Sequence, residues 1–215
     1  MAAAVHELVS ECRWKVQALQ RTSRFHTAGE MVDLFKAQVL SFIEYRTPGI
    51  FHACDTHLAV LDAVQTKYLQ HLGISESDAL FHFHLAPLSS RRDMAMLGLI
   101  HRTLLGRGPA QFRRFFFLEK APTSRVRTRS ASRCHFRRVH EHVDGSHLEV
   151  VKRSALGLTN VYNMLPAEVV QVESVSAFQR QLQDMLKNVA SGQDDSWARL
   201  LSPRHPLHAH PLHVF

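Results

Sequence analysis

The sequence predicts an all-α fold, and three observations carry that reading. Apolar residues recur at steps of three and four through most of the first hundred positions, helix-start signals precede those runs, and nothing before residue 110 alternates in the manner of a strand. The expected architecture is an irregular helical bundle of about five helices plus a C-terminal helix, with a basic loop or weak hairpin and a disordered tail. Along the chain this divides into a helical domain at 4–118, the basic segment at 119–153, a C-terminal helical segment at 154–190 and a His/Pro tail at 191–215.

Val5, Leu8, Val9, Cys12, Val16 and Leu19 share one face of the first helix, which fades near Gln20 to Thr22. The second opens on a capping box, Thr27 with Glu30, in which hydroxyl and carboxylate each take a free backbone donor. Met31, Leu34, Phe35, Val39, Phe42 and Ile43 keep its period, giving a buried helix over 28–46 that Pro48 and Gly49 interrupt. Asp55 is the expected cap of a third helix, with Leu58, Leu61, Val64, Tyr68, Leu69 and Leu72 facing inward and Gly73 as its stop. Ser75 with Asp78 starts a short helix through Phe83 that Pro87 closes. Ser89 or Ser90 opens the fifth, which carries Met94, Leu97, Ile100, His101, Leu104 and Leu105 toward Gly106 and Gly108.

Beyond Pro109 the pattern changes. Phe112, Phe115, Phe116 and Phe117 interleave with Arg113 and Arg114, and the residues that follow are rich in Arg, Ser, Thr and His. Too little apolar surface is present to offset the cost of ordering that backbone, so a loop or loose hairpin is predicted. Phe136, Val139, Val143, Leu148, Val150 and Val151 favour two short strands within 135–151. Leu156, Leu158, Val161, Tyr162, Met164 and Leu165 then form an apolar stretch stopped by Pro166. Ser174 or Ser176 begins a last amphipathic helix with Val175, Phe178, Leu182, Met185, Leu186 and Val189 on one side. Past Gly192, two near-copies of His-Pro-Leu-His between His205 and His213 predict disorder.

Composition narrows the function. Hydrophobic residues at 45% and charged residues at 21% fit a globular chain rather than a disordered one. The three cysteines, Cys12, Cys54 and Cys134, lie too far apart and too few to imply a disulfide framework, which points to a reducing intracellular compartment, cytoplasm or nucleus. The opening Met-Ala-Ala-Ala-Val-His-Glu has no basic segment followed by an apolar one, and no apolar run nears the ~20 residues that cross a bilayer, so no membrane partner is expected. There is no Gly-rich phosphate loop, no Ser-His-Asp arrangement stands out, and no cofactor is implied. Cys134, His135, His140, His142 and His147 crowd together, but a structural zinc site usually shows two close ligand pairs and only Cys134 with His140 or His142 approximates one. A basic, partly protonatable loop is the preferred reading, and no metal site is assigned. His82, His84 and His101 sit in apolar helical segments, where a histidine is more often packed than catalytic.

The net charge of +7 is concentrated in one place. Arg107, Arg113, Arg114, Lys120, Arg125, Arg127, Arg129, Arg133, Arg137 and Arg138 face a single acid, Glu119, between positions 107 and 138, which leaves the rest of the chain nearly neutral. Arg125, Arg127 and Arg129, one residue apart, suit successive phosphates, and each phosphate neutralised releases counterions. Phe112 to Phe117 offer surfaces on which bases can stack. Nothing resembles a recognition helix or an RNA-binding sheet motif, so the expected contact is nonspecific, to RNA or an RNA–DNA hybrid.

One ordered set of phrases adds to this. Cys12-Arg-Trp-Lys15, Leu40-Ser-Phe-Ile-Glu-Tyr45, Val64-Gln65, Pro87-Leu-Ser-Ser-Arg-Arg92 and Asn163-Met-Leu-Pro166, with Phe178 and Leu182 behind, follow one another across residues 5 to 187. In that order and spacing they resemble the thumb and post-thumb region after the catalytic palm of non-LTR retrotransposon reverse transcriptases. The resemblance implies a helical scaffold that packs beside a template–primer duplex, next to palm and fingers portions that this sequence does not contain. It does not imply catalysis here. A polymerase holds two divalent metals about 3.5–4 Å apart on carboxylates, and the lone adjacent acidic pair, Asp194-Asp195, lies in a polar stretch without flanking apolar strands. Tyr45, Gln65, Arg91, Arg92 and Asn163 are accordingly expected to pack, cap and turn. The alternative readings are an α-helical protein-interaction module and a retroelement remnant without function.

Overall fold

The computed structural model describes residues 1–119, 135–141, 149–192, 195–205 and 210–214. Its ordered elements are helical: α1 (Ala2–Thr22), α2 (Ala28–Phe35), α3 (Ser41–Ile50), α4 (Asp55–Leu72), α5 (Glu76–Phe83), α6 (Leu88–Leu104), α7 (Glu149–Lys152), α8 (Leu158–Met164), α9 (Ala167–Gln171) and α10 (Val175–Ser191). Among the described residues there is no strand, only an isolated antiparallel bridge between Leu118 and Val139. The protein is all-α, as its periodicity requires. Contacts divide it into two units, Met1–Arg92 and Asp93–Phe215.

In the first unit the predicted start signals operate. Thr27 and Glu30 form the reciprocal capping box of α2, and the Ser75 hydroxyl accepts from the Asp78 amide at the head of α5. Gly73 takes the left-handed conformation that ends α4, with φ 68°, and the Ile74 amide donates back to the Leu69 carbonyl. Asp55 does not cap α4. Cys54 holds that position, and Asp55 sits in the first turn, where its carboxylate complements the helix dipole. Leu88, directly after Pro87, starts α6 slightly ahead of the expected serines.

The predicted 28–46 helix is longer and less regular than expected. A five-residue π turn, Lys36–Leu40, joins α2 to α3, and α3 then runs through Pro48 to Ile50. A proline there costs one backbone hydrogen bond near the end of a helix. Burial of Ile50 and Phe51 just beyond it offsets that loss, and Thr47, itself buried, donates its hydroxyl to the Ile43 carbonyl at 3.1 Å.

Four cross-helix pairings set the directions. Arg46 pairs with Glu11 and Lys15 lies over the Phe42 ring, so α3 runs antiparallel to α1. His6 meets His57, and Val16 and Val64 line one groove, so α4 runs parallel to α1. The core holds Val5, Leu8, Cys12, Phe35, Ile43, Leu61 and Tyr68, each contributing ~1.5–3 kcal/mol if its side chain is fully removed from water. Tyr68 stacks on Phe35 at 4.7 Å and donates its hydroxyl to the Met31 carbonyl at 2.7 Å. Burial pushes its ionisation up to about 12, and that of the Cys12 thiol up to about 11, so neither carries charge near neutrality.

The motif residues Gln65, Arg91 and Arg92 serve as ties in this unit. Gln65 is buried and donates to the Ala86 carbonyl at 3.0 Å, which secures the turn before α6. Arg91 donates to Glu44 at 2.7 Å. Arg92, only 6% exposed in its side chain, makes a two-point contact with Asp62. Tyr45 departs from expectation: at 86% exposed it packs against nothing of consequence in the core.

In the second unit, Tyr162 on α8 and Phe178, Leu182 and Leu186 on α10 are buried together with Leu97 and Ile100 of α6. Ser174 is the N-cap of α10, accepting from the Ala177 amide. Of the residues expected to form strands within 135–151, Val143 and Leu148 lie outside the described residues, and Val150 and Val151 are helical in α7, with Val150 exposed, so their β preference yields to local helix formation. Where disorder is expected past residue 191, the described residues include buried Leu200, Leu201 and Leu212, and His210 holds the Ser202 carbonyl at 3.1 Å.

The Arg92–Asp62 pair makes a direct test of the first unit. Asp62→Ala leaves a buried guanidinium without its carboxylate and is expected to cost about 3 kcal/mol, the lower end of the range for one-sided removal because Asp62 is partly exposed. Chemical denaturation midpoints measure it.

Candidate nucleic-acid interface

The residues from 115 to 119 follow a short 3₁₀ turn, Ala110–Arg114, after the left-handed Gly106. Gly106 and Arg107 are fixed by side chains that reach their carbonyls. Arg113 donates to the Gly106 carbonyl at 2.6 Å and Arg102 to that of Arg107 at 3.0 Å. Beyond this turn the chain meets the 135–141 segment. The Glu119 amide donates to the Arg138 carbonyl at 2.8 Å, and the His140 amide to the Phe117 carbonyl at 3.0 Å, flanking the Leu118–Val139 bridge.

That pairing uses the backbone of Arg138 and His140 and leaves Val139 facing the other way. Asn163, on α8, supplies what a further strand would supply. Its Oδ1 accepts from the Val139 amide at 2.8 Å, and its Nδ2 donates to the Val139 carbonyl at 2.9 Å and to Glu141 at 2.8 Å. One side-chain amide thus pairs with a residue's backbone at both ends.

Exposure alternates along 135–139 and from Phe115 to Phe117, and the alternation ends at Leu118, which is exposed like its neighbour. Phe116, His135 and Val139 are buried, whereas Phe115, Phe117, Leu118, Phe136 and Arg138 are exposed. Phe117 stacks on His140 at 5.0 Å with the rings 16° apart, and Phe136 is 68% exposed. Segments of this kind, placed side by side, put aromatic rings and a guanidinium on one surface.

The ten predicted basic residues meet different fates. Lys120, Arg125, Arg127, Arg129 and Arg133 lie outside the described residues, as do Cys134, His142, His147 and Asp194. Arg137 is not a surface cation: it donates to the Val170 carbonyl at 2.9 Å and to that of Val172 at 3.4 Å. Arg107 spends a donor on the Glu173 carbonyl at 3.2 Å. Arg138 stands between Glu119, at 3.1 Å, and Glu141, at 3.4 Å, which offset its charge. Arg114 is exposed and lies over Phe115 at 5.6 Å. The expected stacking set is corrected as well, since Phe116 is buried, while Phe136 joins the exposed rings. A sequence signal for Phe136 exists: Phe112-Arg-Arg114 is repeated at Phe136-Arg-Arg138.

Beneath this surface lie two buried histidines. The Nε2 of His101 meets the Val172 carbonyl at 2.8 Å and must be its donor, so Nδ1, 2.8 Å from the Tyr162 hydroxyl, accepts. The ring stacks on Phe178 at 4.2 Å. His135 donates through Nε2 to the Tyr162 carbonyl at 3.0 Å, and its buried Nδ1 has no partner among the described residues. Burial lowers the pKa of both, and the positive charges of Arg137, and for His135 also of Arg138, push the same way against the opposing backbone bonds. Burial likewise raises the Tyr162 hydroxyl's ionisation well above its usual range. His135 faces inward and the half-exposed His140 stacks outward. Among the described residues no three His, Cys, Asp or Glu side chains converge on a metal position.

Comparison with known proteins adds nothing to these observations: no family model, no curated protein and no solved structure matches the chain.

Two outcomes follow from this geometry. Asn163→Ala removes both bonds to Val139 and is expected to speed hydrogen exchange at the Val139 amide and to lower stability by about 1–3 kcal/mol. As pH falls below about 6.5 the unfolded histidines take up protons before the folded ones, so stability is full above that pH and declines below it. Urea midpoints across pH 5–8 measure the decline, which His101→Phe reduces while costing about 1–3 kcal/mol at neutral pH, because the buried Tyr162 hydroxyl loses its acceptor and the Val172 carbonyl keeps only its longer bond to Arg137.

Proposed function

We propose that the chain is a non-catalytic nucleic-acid-binding module, similar to the post-palm region of a non-LTR reverse transcriptase, that grips RNA or an RNA–DNA hybrid without sequence preference. The observation that carries this reading is the surface on which Phe115, Phe117 and Phe136 are exposed beside Arg114 and Arg138. Exposed rings grouped on one surface suit a binding partner, and bases offer π faces of every sequence. The guanidiniums add phosphate contacts, and the helical layer under them, tied by Asn163 and Arg137, keeps the rings in place. Because Arg138 is offset by Glu119 and Glu141, stacking carries more of the affinity than the sequence's charge alone indicates. The salt-sensitive share falls to Arg114 and to the basic residues between 120 and 133.

A second reading, an α-helical protein-interaction module, is supported by Trp14 and Tyr45, 70% and 86% exposed on the first unit. Single-stranded RNA and RNA–DNA hybrid oligonucleotides, titrated at several salt concentrations with fluorescence anisotropy, decide between them. The nucleic-acid reading expects Phe117→Ala with Phe136→Ala to weaken binding roughly tenfold or more at constant salt, on the scale of one to two stacked bases. Replacing Arg125, Arg127 and Arg129 by Ala is expected to flatten the salt slope by about 0.7–0.9 for each phosphate no longer neutralised. Absence of binding at low salt would discard it and leave the protein-interaction reading.

A further inference from the structure

The first unit contains a groove that neither the ties made by Gln65, Arg91 and Arg92 nor the aromatic surface of the second unit accounts for. It lies between the parallel helices α1 and α4 and encloses about 290 Å³, close to the lower end of ordinary small-molecule sites. Its floor is Val16, Ala63, Val64 and the ring of Tyr68, whose hydroxyl is already committed to the Met31 carbonyl. Its rim is Arg13, Gln17, Gln20 and Lys67. The space exists because Ala63 is short where the neighbouring inward positions of α4 carry Leu, Val and Tyr.

The chemistry of the rim is one-sided. Arg13 and Lys67 are exposed, and neither is in an ion pair among the described residues, although Arg46, Arg91 and Arg92 of the same unit all find carboxylates. No carboxylate lines the groove. The two glutamines add amide groups able to donate or accept. An apolar floor with two cations and two amides at its edge complements one kind of ligand, an anionic head on a compact apolar body. A neutral apolar molecule would leave the cations unused, and a multiply charged polar one would forfeit the floor.

We propose that this groove is a binding site for a small organic anion, a carboxylate or phosphate ester attached to an aromatic or short aliphatic body. The head lies between Arg13 and Lys67, with Gln17 and Gln20 beside it, and the body rests on Val16, Val64 and Tyr68.

Three probes of one shape test it on the full chain: 2-naphthoate, 2-naphthyl phosphate and the neutral 2-naphthylmethanol, titrated against isotope-labelled protein while backbone amide shifts are followed. The two anions are expected to saturate with shifts concentrated at residues 13–20 and 63–68, and the alcohol to bind at least severalfold more weakly. Arg13→Gln and Lys67→Gln are each expected to raise the dissociation constant roughly two- to fivefold, as exposed charge contacts do, and together roughly tenfold. Arg24→Gln, which changes net charge equally but lies outside the groove, is expected to leave it unchanged. Ala63→Leu fills the floor and is expected to abolish binding of both anions with Arg13 and Lys67 intact. Tighter binding of the phosphate assigns a phosphate ester as the ligand class, and tighter binding of the carboxylate a carboxylic acid. Equal affinity for the alcohol, shifts centred elsewhere, or an Arg24→Gln loss matching that of Lys67→Gln overturns the proposal.

Discussion

Helix ends leave carbonyl groups without partners, and this chain makes many ends. A helix strands the last four carbonyls of its backbone, and α8 and α9 are so short that stranded groups make up most of them. The second unit answers with long polar side chains. His101 and Arg137 both reach the Val172 carbonyl, Arg137 also takes that of Val170, and His135 takes that of Tyr162. The first unit does the same at the turn before α6, where Gln65 takes the Ala86 carbonyl. His101, His135 and Gln65, which make these bonds, are buried, and Arg137 is half-buried with its guanidinium over the Phe136 ring at 5.5 Å.

This requirement accounts for a redistribution of charge that composition does not foretell. Ten basic residues in a short stretch suggest one electrostatic surface, yet those of known placement do separate jobs. Arg137 closes the end of α9, Arg113 holds the Gly106 turn, and Arg138 is balanced by two glutamates. The two Phe-Arg-Arg tripeptides show how far context decides. In the first, Phe112 is half-buried against Phe116 and Arg114 remains at the surface; in the second, Phe136 is the exposed ring and the middle arginine turns inward.

The helices of the first unit were legible because each rests on local signals. The capping box at Thr27, the Ser75 cap and the Gly73 stop need no distant partner to act, and a period of three to four residues already names the buried face. Asp55 was misplaced by one position because a carboxylate suits both the cap and the first turn. The ending of α3 was not legible, since whether Pro48 stops a helix depends on what Ile50 and Phe51 find to pack against. The 135–141 segment was harder still. Its order comes from Asn163, more than twenty residues away, and a lone asparagine gives no sign in sequence of which backbone it will bind. The groove on α1 and α4 was invisible for a similar reason, because it is made by the shortness of Ala63 opposite another helix.

Asn163 has a further effect on how the protein behaves among other chains. A short extended segment at the border of a unit normally offers its free amides and carbonyls to any strand that approaches, and such edges seed intermolecular pairing. At Val139 nothing is on offer: the neighbouring amide and carbonyl are taken by the 117–119 segment, and its own by one asparagine side chain. At Val139 the segment therefore withholds its backbone while displaying the rings beside it. A surface rich in exposed phenylalanine can in this way meet a ligand by its side chains while withholding the main-chain edge through which identical molecules would add to one another.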